Sequence, residues 1–229
     1  MIYITGDTHG DFDRIFDFCE EYCTTKDDIL IILGDAGINY YLDERDEYLK
    51  AELSKLPITL FCIHGNHEER PSEIDGYEET QWHGGIVYVE PRCPNLIFAK
   101  DGEIYNLDGR KVIAIGGAYS VDKLYRISGG LPWFETEQPD DAIKSYVESQ
   151  LEKAGWQVDV VLTHTPPLKY EPTWAFLPNI DQSAVDKSTE KRLDSIEERL
   201  TYDSWYLGHY HVDDHQGRVT IMFEEIEEF

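Results

Sequence analysis

The chain has 229 residues, and 41% of them are hydrophobic, enough to build a core for one domain spanning 1–229. Its 46 acidic residues against 20 basic ones leave a formal net charge of −26. Such a surface repels long nucleic acids and anionic membranes, which both favour basic faces, and it also helps keep a protein soluble.

The chain starts on Ile2-Tyr3-Ile4. No basic or apolar leader precedes it, so no signal peptide is visible. Its apolar runs are too short to cross a bilayer. Cys19, Cys23, Cys62 and Cys93 form no Cys-x-x-Cys pair. They read as small buried apolar residues in a reducing compartment. The expectation is therefore a cytoplasmic protein.

Ile2-Tyr3-Ile4 is a short strand ending at Gly6-Asp7. Phe12, Ile15, Phe16 and Cys19 then recur at helical spacing, with Asp11 as the N-cap. Residues 29–33 form an unbroken apolar strand of the kind buried on both faces of a parallel sheet. It delivers Gly34-Asp35. A polar helix over about 42–56 leads to a third strand at 58–63, which ends at Gly65-Asn66-His67. This strand-helix alternation predicts α/β layering.

Further on, residues 86–89, 96–99, 103–107 and 112–115 read as short strands. The turns Asp101-Gly102 and Asp108-Gly109 suggest hairpins between them. Residues 118–138 carry Tyr119, Tyr125, Trp133 and Phe134 without periodicity and read as a loop. A helix over 140–154 and a buried strand over 158–163 follow. Residues 166–181, rich in proline and aromatics, predict a long ordered loop. A charged helix spans 189–200. Trp205-Tyr206-Leu207 delivers Gly208-His209, and 219–226 closes the sheet as a last strand.

Five strings stand out: Gly6-Asp7-Thr8-His9-Gly10, Gly34-Asp35, Gly65-Asn66-His67-Glu68, Thr163-His164 and Gly208-His209-Tyr210-His211. Most follow an apolar strand-like run, and strand ends can gather at one rim. Together they supply Asp, His and Asn side chains in numbers suited to two metal ions and one catalytic histidine. Such a mixed set suits Mn, Fe, Zn or Ni and is too rich in nitrogen for Mg or Ca alone. Gly6, Gly34, Gly65 and Gly208 each precede a candidate ligand, where glycine permits a turn closed to other residues. Asp7 and His9 have period-two spacing, as do His209 and His211. Two ions about 3.5–4 Å apart can activate water and neutralise a phosphoryl group.

Other residues admit two readings. Lys123 or Arg126 contacts phosphate, or the stretch 116–123 is only a tight turn after a strand. Trp133, Phe134, Tyr170 and Trp174 stack on an aromatic group of a substrate, or they pin two loops. Glu68 reads as a structural cap or ion-pair partner, and His64 as packed beside the site.

The ordered set Asp-x-His, Gly-Asp, Gly-Asn-His-Glu, Thr-His-x-Pro-Pro and Gly-His-x-His, from Asp7 to His211, resembles the calcineurin-like metallophosphoesterase superfamily. The resemblance implies a two-sheet β sandwich flanked by helices, in four layers. It implies one ion on Asp7, His9, Asp35 and His211. A second ion would sit on Asp35, Asn66, His164 and His209, with Asp35 shared and manganese favoured. A metal-bridging hydroxide would attack phosphorus in line, and His67 would act as general acid. Asn66, Lys123 and Arg126 are the candidate substrate contacts.

The protein-phosphatase branch of that superfamily carries two arginines and a histidine-orienting carboxylate. Here those places read Ile38-Asn39-Tyr40 and His64. The expected substrate is thus a small phosphodiester or nucleotide-like molecule. The rival readings are a phosphomonoesterase or protein phosphatase, and a non-catalytic interaction module. Neither the native metal nor the oligomeric state is legible.

Overall fold

The structure is a computed structural model describing residues 1–229 apart from Leu177, Asn179 and Ile180. The first sheet holds β1 (Ile2–Thr5), β2 (Ile29–Ile32), β3 (Thr59–Cys62), β4 (Glu78–Trp82), β5 (Gly85–Val89), β6 (Leu96–Ala99) and β13 (Glu227–Glu228). Their order is β13-β1-β2-β3-β6-β5-β4. The second holds β7 (Ile104–Leu107), β8 (Arg110–Ile115), β9 (Val160–Thr163), β10 (Ser204–Leu207), β11 (Asp214–Gln216) and β12 (Val219–Ile221), ordered β11-β12-β10-β9-β8-β7. The helices are α1 (Asp13–Tyr22), α2 (Glu44–Leu53), α3 (Lys123–Gly129), α4 (Asp141–Lys153) and α5 (Ser188–Glu197).

Alternation along the strands sets the layers. Every residue of β2 is buried, and neighbours in a strand face opposite ways. Ile31 packs with Phe61, Leu107 and Leu162 in the seam between the sheets. Leu30 and Ile32 pack instead with Ile15, Phe18 and Leu53 of α1 and α2. On the far side Ile113, Val161 and Trp205 pack with Leu151 of α4 and Leu193 of α5. Three apolar layers therefore separate four layers of structure, as the resemblance implies. Among the described residues, no helix is long and apolar enough to cross a membrane.

The central pairs β1–β2, β2–β3, β8–β9 and β9–β10 are parallel. Parallel strands end on the same side, so the segments after β1, β2, β3, β9 and β10 open on one rim. Crevices beyond the carboxyl ends of such strands are where α/β folds bind ligands.

Several local expectations change. Residues 118–138 contain α3, whose Leu124, Tyr125 and Ile127 are exposed; Arg126 is its one buried residue. A helix without an apolar buried face leaves no periodic signal. The Asp101-Gly102 turn joins β6 of one sheet to β7 of the other, so it is no hairpin. Asp108-Gly109 does close one, pairing Leu107 with Arg110. Both turn residues have positive φ, as a two-residue hairpin turn of this kind needs. Of the expected strand at 219–226 only Val219–Ile221 forms, as β12, and β13 follows at Glu227–Glu228 in the other sheet.

Asp11 accepts a hydrogen bond from Asp13 N at 3.1 Å but does not occupy the N-cap, which is Phe12. Phe16 points outward, 42% exposed. The helix expected over 42–56 is shorter, capped by Asp43, which accepts from Arg45 N. The polar edge strand β4 and the short β11 escaped notice because neither carries an apolar face. Cys19, Cys62 and Cys93 are buried as expected, but Cys23 is exposed.

Close approach excludes a side chain at all four glycines that precede the candidate ligands, and a Cβ on Gly34 would lie 2.1 Å from His164 Nδ1. Only Gly34 has positive φ, +98°. A Cβ on Gly6 would lie 2.1 Å from the Met222 carbonyl oxygen, and one on Gly208 would lie 2.2 Å from Asp7 Oδ1. One on Gly65 would meet Asp35 Oδ1 at 2.0 Å and Asp35 N at 2.1 Å. The rim is so tightly drawn that these strand ends have no room for a methyl group.

Two outcomes test this packing. Phe61 is fully buried in the seam, with ring centroids 4.8 Å from Trp82 and 5.0 Å from Tyr105. Phe61→Ala should cost about 3–5 kcal/mol, read as a lowered urea midpoint. A crystal structure of Gly65→Ala should show Asp35 pushed away from residue 65; an unmoved Asp35 would refute the close-approach account.

Candidate metal centre

Asp7 lies just past β1, Asp35 past β2, Asn66 and His67 past β3, His164 past β9 and His209 past β10. Their side chains converge. His9 Nε2 lies 2.9 Å from His211 Nε2 and 3.7 Å from Asp7 Oδ2. His211 Nε2 is 3.3 Å from Asp7 Oδ2. Asp35 Oδ2 is 4.0 Å from His9 Nε2 and 3.5 Å from His164 Nε2. His164 Nε2 is 2.9 Å from Asn66 Oδ1. The His209 ring centroid is 4.9 Å from that of His164.

Asp7, His9 and His211 form one close group, Asp7, Asp35 and His164 a second, and His9, Asp35 and His67 a third; the second takes in Asp7, which the resemblance gives to the other ion. Asp35 Oδ2 lies between His9 and His164, the position a shared carboxylate needs.

The fit to divalent cations rests on three observations. First, donors held about 2.0–2.2 Å from one ion lie about 3–3.5 Å apart, and several of these contacts fall in or near that range. Second, Asp7 Oδ2 is buried with no hydrogen-bond partner among the described residues, and such an orphan calls for a ligand or ion. Third, no Lys or Arg among the described residues pairs with the carboxylate of Asp7 or Asp35; their ionic neighbours are histidines. Two buried carboxylates without a fixed cation make a strong cation trap.

The hydrogen bonds around the centre aim the donors. His164 Nδ1 lies 2.7 Å from the Leu33 carbonyl oxygen. A carbonyl only accepts, so Nδ1 carries the hydrogen and Nε2 turns inward, the arrangement that suits a ligating histidine. Asn66 Nδ2 donates to Ser120 Oγ at 3.0 Å, which turns its carbonyl oxygen to the centre. Asp35 Oδ1 accepts from His67 N at 2.7 Å, and Asp7 Oδ1 accepts from His209 N at 3.0 Å.

Electrostatics follow from this crowding. Burial opposes the Asp35 charge, but His164, then His67 and His9, outweigh it and hold the carboxyl well below its usual range. Burial likewise opposes a charged His164, yet Asp35 and Asp7 push it up to about 9. The centre thus draws positive charge. Burial, aided by His164, drops His209 to about 3. Burial, then the Asp35 charge, lifts Glu68 to about 8; its Oε1 accepts from Gly65 N at 2.8 Å, the structural role expected of it.

The backbone is strained where the donors sit. His9, Asp35, His209 and His211 all have positive φ, between +48° and +70°. Each such residue costs about 1–3 kcal/mol and persists only where its surroundings impose it.

Lys123 is engaged apart from the donors, whereas Arg126 lies beside them, 4.0 Å from Asp122 Oδ1 and 5.4 Å over the Tyr40 ring. Lys123 Nζ sits 3.8 Å above the Trp133 ring. Arg126 is 1% exposed and donates to Ser120 Oγ at 3.1 Å. Trp133 in turn donates to Glu137 Oε2 at 2.8 Å, which pins a loop. Trp174 is 67% exposed.

Other residues come into view only in the fold. Asp122 Oδ1 is 3.8 Å from His67 Nε2, and the Tyr40 ring stacks on His67 at 6.3 Å. A cavity of about 480 Å³ opens beside the centre, walled by Tyr119, Phe176, Lys187, Glu190 and Tyr210. A second, of about 430 Å³, is walled by Tyr40, Tyr41, Arg45 and Leu49. His9 and His67 belong to both walls. Glu190 had a sequence signal: residues 190, 193 and 197 share one helical face, and Leu193 is apolar. Asp122 had none, since nothing in its spacing ties it to His67.

Comparison with known proteins places the chain in a family. The family described as calcineurin-like phosphoesterase matches residues 1–213. An uncharacterized protein of Haemophilus influenzae is 26% identical over 120 residues, 52% of this chain and 43% of that protein, so the chain spans less than half the length of that relative. Two solved structures share the fold. One is a protein of Thermus thermophilus, 12% identical, covering 97% of this chain and 87% of its own, with a TM-score of 0.53. The other is a phosphopantetheinyl hydrolase from Mycobacterium tuberculosis, 13% identical, covering 97% and 87%, with a TM-score of 0.51. With its metal-ligand strings gathered at one rim and 213 consecutive residues matched, this chain belongs to the calcineurin-like phosphoesterase family.

Proposed function

We propose that this protein is a dinuclear metal-dependent hydrolase of small phosphodiesters. One observation carries the reading: two cavities, of about 480 and 430 Å³, meet at His9 and His67 beside the candidate ligands. A phosphodiester carries two organic arms on one phosphorus, and each cavity takes one arm. A monoester would leave one of them empty.

Charge supports the same choice. Among the described residues, the cationic side chains on these walls are already paired. Lys187 meets Glu171 at 2.7 Å, and Arg45 meets Asp43 at 2.6 Å. A monoester dianion needs more positive charge than a diester monoanion. Among the described residues, neither wall carries an arginine pair to grip it.

The residues take the following roles. Asp7, His9, Asp35 and His211 would hold one ion, and Asp35, Asn66, His164 and His209 the other. Bound there, divalent ions such as manganese would lower the pKa of water and neutralise the phosphoryl oxygens. Asp35 keeps its two ends apart in function: Oδ2 faces the donors while Oδ1 pins the His67 backbone. His67 protonates the leaving oxygen. Burial pushes its imidazole toward the neutral form, aided by the Arg126 charge, and the carboxylates of Asp35 and Asp122 oppose that push. Asp122 thus takes the orienting task that Ile38 cannot perform. Unpaired thiols at all four cysteines support a reducing, cytoplasmic setting.

With manganese, the protein should turn over bis(4-nitrophenyl) phosphate faster than 4-nitrophenyl phosphate. Equal or faster monoester turnover would overturn the diester reading. Calorimetry should count two manganese ions per chain, and Asp35→Asn should weaken both. His67→Ala should cut kcat about 10²–10⁴-fold on esters with alkyl leaving groups. The same variant should lose far less on nitrophenyl esters, whose leaving oxygen needs no proton. Asp122→Asn should shift kcat in the same direction by a smaller factor.

A further inference from the structure

Glu190 stands in the wall of the larger cavity and is 4% exposed. Its Oε1 accepts from Thr165 Oγ1 at 2.9 Å. Its Oε2 has no hydrogen-bond partner among the described residues. A buried carboxylate oxygen left unpaired is costly, so a group that arrives with a donor is favoured there. The rest of the wall supports this reading. Glu171 and Lys187 neutralise each other at 2.7 Å, which leaves Glu190, like Asp35 and Asp122 on the same lining, a carboxylate that no Lys or Arg among the described residues approaches closer than 4.0 Å. Burial raises the Glu190 carboxyl to about 7, and a cationic neighbour would bring it down again.

Part of the wall is aromatic. Phe176 and Tyr210 stack with centroids 5.9 Å apart and planes 13° off parallel. Tyr210 lies between His209 and His211 in the chain, so this face adjoins the metal centre. The same cavity is therefore lined by the candidate ligands His9, Asp35, His209 and His211, by these two rings and by Glu190.

We propose that this cavity is a recognition subsite for a substrate arm that ends in an amine or hydroxyl on an apolar stem, with Glu190 Oε2 accepting from that donor. The subsite rests on the hydrolase reading above. It excludes arms that end in a carboxylate or a second phosphate, which Glu190 would repel. Glu190 positions the arm and takes no part in bond breaking.

Three 4-nitrophenyl phosphodiesters test it, with 3-aminopropyl, 3-hydroxypropyl and propyl as the second arm, and with six-carbon counterparts to vary reach. A hydrogen bond to a charged group is worth about 10- to 100-fold. The wild type with manganese should favour the donor-ended arms over the alkyl arm by that factor in kcat/KM, on one stem length or the other. Glu190→Gln should shrink the amine preference to below about threefold while keeping more of the hydroxyl preference, because an amide carbonyl still accepts but carries no charge. Each preference is a ratio within one variant, so a general loss of folding or metal binding cancels. Equal turnover of all arms by the wild type, or an amine preference that survives Glu190→Gln, overturns the subsite. If bis(4-nitrophenyl) phosphate is still hydrolysed in that case, the hydrolase reading stands alone. If no ester is hydrolysed, both fall.

Discussion

Asp35 is held by two demands that one carboxylate can meet only in a fixed pose. Its Oδ1 accepts from the His67 backbone at 2.7 Å, and its Oδ2 lies 3.5 Å from His164 and 4.0 Å from His9. The pose is set from below by Gly65, which leaves no space for a Cβ, and by its own φ of +49°. The first sheet supplies β2 and β3 around it, and the second supplies His164. The two sheets must therefore keep their register across the seam for the carboxylate to see both histidines. The apolar packing of Ile31, Phe61, Leu107 and Leu162 is what maintains it.

This arrangement is unfavourable for an isolated fold. Two buried carboxylates, four donor residues at positive φ and an unpaired Asp7 oxygen all oppose folding. The sheets offset that cost with three apolar clusters. In the proposed reading, bound cations would offset it too, because any ligand that binds only the folded state stabilises it. The same two carboxylates, Asp35 and Asp7, outweigh burial to raise His164 to about 9.

The ligand strings were legible because chemistry there depends on residue type. Asp, His and Asn side chains that recur after apolar runs stand out as candidate donors, and the fold gathers them at one rim. The layering was legible for a similar reason, since residues 29–33 are apolar without interruption and demand cover on both faces. What stayed hidden depends on side chains meeting across the fold. Helix α3 has no apolar buried face to announce it. Asp122 reaches His67 only because the segment after β8 folds over Asn66, tied there by Ser120. Lys123 and Arg126 carried the expected charge, but one stacks on Trp133 and the other is buried against Ser120. The split of β12 from β13 likewise depends on Thr5 Oγ1, which donates to the Glu225 carbonyl at 2.8 Å and helps hold the returning chain against β1.

The acidic surface and the larger cavity bear on the same question. At −26, the protein repels anions over long range and slows their approach. A phosphomonoester, with two charges, suffers most, and a simple diester suffers less. A diester whose second arm carries an ammonium group is neutral overall and escapes the repulsion. Within the pocket that same ammonium would meet Glu190, while the phosphoryl group faces the candidate metal ligands. Long-range and short-range electrostatics then select the same kind of molecule, one with its negative charge at one end and a donor at the other.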